Sequence, residues 1–135
     1  MPSATYKSTF TLDAFDQQEP YDVEAGVPFA KAHIQKTFSG DLEGTSVVDM
    51  LSSRTDGGAG YVALERLRVT VDGRTGTFAL LHCGTMTSPT DTWATWPIVP
   101  GSGTGALAGI TGEGHIDIVD GVHHFTLTAT LPSRG

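Results

Sequence analysis

Apolar and polar residues alternate with a period of two along most of this chain. No segment carries a convincing helical repeat of apolar positions. Tyr6, Ser8, Phe10, Leu12 and Ala14 form one face of a first strand, against Lys7, Thr9, Thr11 and Asp13. An acidic loop follows, roughly residues 16–27, with Pro20, Gly26 and Pro28 at or beside it. Further strands read as 29–38, 42–54, 59–71, 74–86, 91–99, 108–119 and 122–131. Eight strands joined mostly by short turns predict an all-β meander. Its edges must be hidden, and closure into a single eight-stranded antiparallel β-barrel over residues 1–135 hides them. Such a barrel is wide enough to be filled by side chains or to hold one small ligand.

Three Asp-Gly pairs mark hairpins: Asp56-Gly57, Asp72-Gly73 and Asp120-Gly121. Asp-Gly favours the two-residue type I′ turn, which also sets the register. About Asp72-Gly73, Val69/Gly76, Leu67/Phe78, Glu65/Leu80, Ala63/His82 and Tyr61/Gly84 share one face. The other face carries Arg66, Arg68 and three threonines and meets water, so the first face looks inward. About Asp120-Gly121, Ile118/His123, Ile116/Phe125, Gly114/Leu127 and Gly112/Ala129 face inward. If Asp56-Gly57 is also a two-residue turn, Met50 and Ser52 join the inner wall; a one-residue slip would turn Asp49 inward instead. Of the two tryptophans, Trp96 is the inward one, on the Ile98 face.

Charge and composition then exclude function classes. Eight basic residues stand against 15 acidic ones, a net charge of −7, which disfavours nucleic acid and anionic membrane surfaces as partners. No apolar run is long enough for a membrane-spanning helix. The N-terminus lacks the apolar core of a signal peptide, and Cys83 is the single cysteine. A cytoplasmic protein is expected.

The glycine-rich stretch Val99–Gly114 resembles a nucleotide-binding loop, since Gly103-Thr-Gly105-Ala-Leu-Ala108 fits GxGxxA. That fingerprint needs a strand before it and a helix opening after it. Here Pro100 follows Ile98-Val99, and a hairpin follows the glycines, so no cofactor is expected. Gly112 and Gly114 instead make room for Leu127 and Ala129. Five histidines raise the question of a metal, but His123 and His124 point to opposite faces and no ligand spacing supports a site. There is no GxSxG motif either, so a serine hydrolase is unsupported.

The candidate chemistry lies inside the barrel. Glu65 and His82 share the inner face as diagonal neighbours, within reach of each other. A carboxylate among apolar walls has its pKa raised, and an imidazole is the usual proton partner. The alternative is a structural ion pair, with Glu65 bridged to Lys36, which alternation places inward beside Ile34 and Phe38. Tyr61, Phe78, Leu80, Trp96, Met50 and Phe125 are the expected ligand-contacting walls, and Lys36 is a further expected ligand contact. Val62, Leu64, Ala79, Leu81 and Cys83 form an apolar band on the outside and predict a homo-oligomer through these two strands.

Lys36-Thr-Phe-Ser-Gly-Asp-Leu-Glu-Gly44, Leu64-Glu-Arg66, Gly73-Arg-Thr-Gly-Thr-Phe78 through His82-Cys-Gly84, and Val99–Gly109 resemble a bacterial family, domain of unknown function 3224. That resemblance implies an eight-stranded barrel similar to allene oxide cyclase and dirigent proteins. It implies no activity, because such barrels host unrelated functions. The expected function is interior binding of a small, largely apolar organic molecule. The alternatives are a cofactor-independent cyclase or isomerase using Glu65 and His82, and a packed barrel serving oligomer assembly.

Overall fold

A computed structural model describes residues 3–132. Its strands are β1 (Ala4–Gln17), β2 (Phe29–Gly40), β3 (Leu42–Thr55), β4 (Gly58–Val71), β5 (Arg74–Ser88), β6 (Asp91–Thr95), β7 (Thr111–Val119) and β8 (Val122–Thr130). They form one antiparallel sheet in the order β6-β5-β4-β3-β2-β1-β8-β7. The first and last strands of the chain therefore pair, and the seam falls between β6 and β7. The connection between those two strands zips half of it. The Leu81 amide donates to the Pro97 carbonyl and the Ile98 amide to the Gly112 carbonyl, each at 2.9 Å. The result is a nearly closed barrel with no α-helix among the described residues, and no helix long and apolar enough to cross a membrane.

The registers expected for the second and third Asp-Gly hairpins hold at every position. Asp72 and Gly73 have φ of 51° and 72°, and Asp120 and Gly121 have 53° and 79°, as a type I′ turn requires. Asp56-Gly57 is also a two-residue turn, with Thr55 opposite Gly58, so Met50 and Ser52 do face inward. Its geometry differs, because the positive φ falls on Gly58, at 149°.

Several sequence expectations change. The sixth strand ends at Thr95, where the chain leaves the ladder and crosses the seam. The seventh starts at Thr111, because residues 105–107 form a 3-10 turn that drops Leu107 into the core. A bulge in β1 falls between Leu12 and Ala14, and Asp13 there accepts hydrogen bonds from the Thr11 and Thr37 hydroxyls. The extra residue moves Ala14 off the inner face and puts Phe15, opposite Ile34, in its place. Gly114 makes room for Phe125 rather than Leu127, since a Cβ there would lie 2.7 Å from the Phe125 ring.

The barrel is packed at one end and open at the other. At the closed end, Phe10, Phe38, Leu67, Phe78, Leu80, Leu107, Ile110, Phe125 and Leu127 belong to one buried cluster. The glycine-rich connection plugs this end. Gly76 and Gly103 allow its backbone to lie close, because a Cβ on either would overlap the carbonyl oxygens of Thr104 and Leu107 respectively. Toward the open end a smaller cluster of Ile34, Val48 and Ala63 is capped by Met50 and Tyr61. The wall is notched there. β8 pairs with β1 only as far as Phe10, and Ile118, expected to be buried, is 65% exposed although its pair partner His123 shares the inner face.

Candidate functional site

A polar quartet separates the two apolar clusters. Lys36 on β2 and Ser46 on β3 are register partners, and Glu65 on β4 and His82 on β5 follow diagonally. Every member points inward by strand alternation, and every member is buried. Glu65 is 1% exposed. Its Oε1 lies 3.2 Å from Lys36 Nζ and 2.6 Å from His82 Nε2, while the Ser46 hydroxyl donates to Oε2 at 2.5 Å. Lys36 Nζ also stands 4.4 Å over the centre of the Phe10 ring, a cation–π contact.

These contacts reverse the expected electrostatics. Burial pushes the Glu65 pKa up, but the His82 hydrogen bond, the Lys36 charge and the Ser46 hydroxyl together hold it below the ordinary carboxylate value. Glu65 is therefore an ionised acceptor and not a proton donor near neutral pH. An ionised carboxylate only accepts, so the proton of the shared hydrogen bond resides on His82 Nε2. His82 Nδ1 makes no hydrogen bond among the described residues. Glu65 thus sets the orientation and tautomer of His82, and His82 is the member nearest the open end.

Beyond His82 lies a cavity of about 390 Å³ at the barrel mouth. Phe15, Met50, Tyr61, Ala59, Met86 and Ala94 supply much of its wall. Tyr61 faces Gly84, whose missing side chain leaves space for the phenol ring. Burial pushes the Tyr61 hydroxyl pKa up, helped by Cys83 and opposed by the Trp96 N–H, so the group is neutral at neutral pH. The Trp96 indole spans the seam, edge-on to the rings of both His82 and His115. Its Nε1 is buried without a hydrogen bond of proper geometry, although it is close enough to the Tyr61 hydroxyl to act on it.

Of the residues expected to contact a ligand, Met50 and Tyr61 line this cavity, and Lys36 lies beneath it in the quartet. Phe78, Leu80 and Phe125 do not line it, being locked in the closed-end core at 0–1% exposure, and neither do Trp96, which stands at the seam, and His82, which is buried in the quartet. Sequence reasoning missed Ser46 and Arg54, although both share the parity of Met50 on β3 and so were within reach of the same alternation. No group of three or more potential metal ligands gathers among the described residues. His33 instead pairs with Asp49, and His115 with Asp117, on the outer surface.

The chain is similar to a solved protein of unknown function from Shewanella oneidensis MR-1, at 32% identity and a TM-score of 0.87. The likeness covers 97% of this chain and 99% of that one. No match is found among curated proteins. The family described as protein of unknown function (DUF3224) matches residues 6–128, and this chain belongs to it.

Proposed function

We propose that the barrel binds a small, largely apolar organic molecule at its open end. One observation carries this reading: side chains fill one half of the barrel, whereas the other half holds a cavity of about 390 Å³. That volume falls within the range of about 300–1,000 Å³ occupied by ligand sites. The walls offer Met50, Met86, Phe15 and Tyr61, adaptable and aromatic surfaces suited to an apolar guest. The neutral Tyr61 hydroxyl and the Ser52 hydroxyl supply polar contacts. A fluorescent apolar probe, N-phenylnaphthylamine, tests the reading by its enhancement on binding. Enhancement is expected with the wild type and lost in Ala59→Phe, which fills the mouth. A folded wild type that produces none, or an A59F variant that binds equally, overturns it.

We further propose that copies of the chain associate through the outer face of β3–β5. Leu51, Val62 and Cys83 align across these strands, followed by Asp49, Leu64 and Leu81. Leu51, Val62, Leu64 and Leu81 are exposed there, with Val47 beside them. Glu43, Asp49, Arg66 and Arg68 share this face and cancel in charge, so the chain's −7 excess lies elsewhere. A second copy meets least repulsion on this neutral apolar face.

A further inference from the structure

Among the described residues, three Lys or Arg side chains face the barrel interior, and two of them are paired. At the closed end, Arg74 lies 3.0 Å from Asp72 and donates to the Pro132 carbonyl at 3.0 Å. In the quartet, Lys36 is paired with Glu65 at 3.2 Å. The third, Arg54, stands at the mouth opposite Ala59, on the inner face with Met50 and Ser52. It makes no ion pair or hydrogen bond among the described residues. Among the described residues it is also the one charged side chain on the wall of the mouth cavity.

That placement is selective. The chain has 15 acidic residues, yet none lines this cavity. A net charge of −7 repels anions at long range, so an anion reaches this mouth only if a local cation receives it. A guanidinium receives a carboxylate through two parallel hydrogen bonds. Because Arg54 is exposed, it stays hydrated when the site is empty, and no buried counter-charge is needed to keep it there. The apolar walls behind it demand more than a charge: an inorganic anion would leave them bare.

We infer that the molecule bound at the mouth carries an anionic head group, with a carboxylate as its simplest form. Arg54 receives the head, and the apolar body lies inward against Met50 and Tyr61. This inference rests on the binding reading above and adds the class of ligand.

Calorimetric titration with naphthoate and with its neutral methyl ester separates the two claims. The wild type is expected to bind naphthoate tighter than the ester, on the order of fivefold, as a partly exposed charge pair allows. The gap narrows as salt is raised. Arg54→Gln closes it, and Arg54→Lys keeps part of it. Equal affinity of the two probes for the wild type, or a gap that survives R54Q, overturns the head-group assignment alone. Failure of both probes to bind the folded wild type overturns the binding reading, and this one with it.

Discussion

His82 Nε2 lies 2.6 Å from Glu65 Oε1, although the two residues are not opposite one another on β4 and β5. Glu65 faces Leu80 and His82 faces Ala63, so the contact is diagonal, and the small Ala63 side chain leaves the imidazole room to lean across. With Lys36 and Ser46, His82 turns a lone buried carboxylate into a saturated one.

Glu65→Gln is expected to be costly. It leaves the Lys36 ammonium buried without a counter-charge, and breaking a buried pair on one side typically costs about 3–5 kcal/mol. Urea unfolding measures this. Replacing both partners, Glu65→Leu with Lys36→Met, should recover much of the loss, since the unpaired charge is then gone. An E65Q protein within about 0.5 kcal/mol of wild type would place the quartet among dispensable features.

The same pair sets a pH dependence. The unfolded chain titrates Glu65 near its ordinary value of 4.5, and the folded protein holds it lower. Between the two values the unfolded state binds more protons, so stability rises with pH through that window. The Glu65 contribution is fully present above about 4.5 and is lost as pH falls through the folded value. The stability difference between wild type and E65Q should therefore be flat from neutral pH to about 5 and shrink below it. A difference that grows on acidification contradicts the assignment.

Gly114→Ala tests the packing of the closed end. The new methyl would lie 2.7 Å from the ring of Phe125, which is 1% exposed and cannot swing into solvent. Overpacking of this kind costs about 1–3 kcal/mol, read as a lower midpoint in urea. Ala replacing Gly at this extended position brings no backbone strain, so a loss reports the contact with Phe125.

Leu64→Glu tests association through the outer face. Leu64 is 57% exposed, so the single chain should keep its fold and its far-ultraviolet spectrum. Sedimentation equilibrium is expected to show wild-type oligomers that dissociate in L64E, because a carboxylate at the centre of the contact is desolvated without a partner. A wild type that is monomeric at micromolar concentration removes the proposal.

Much of the fold was legible because strand alternation and two-residue turns are local. Asp72-Gly73 alone places Tyr61, Glu65, Phe78 and His82 on one face, since each further residue only flips sides. The bulge at Asp13 was not legible. It depends on hydroxyls from Thr11 and from Thr37, a residue on the next strand, and one inserted residue exchanges Ala14 for Phe15 on the inner face. The glycine-rich connection read as a link between strands with no helix opening after it, and only a 3-10 turn over residues 105–107 occurs there. Its role as the plug of the closed end required knowing that Thr104 lies against Gly76.

Sequence by itself determined the antiparallel meander, the inward faces of the Asp-Gly hairpins and the diagonal neighbourhood of Glu65 and His82, because these follow from parity and turn length. The tertiary structure decided the ionisation of Glu65. Burial and pairing act in opposite directions on a carboxylate, and their balance depends on Lys36 and Ser46, brought in from two other strands. It also decided which half of the barrel is filled. That depends on where the 96–99 segment crosses the seam and where β8 stops pairing with β1, and neither is a local property of the chain.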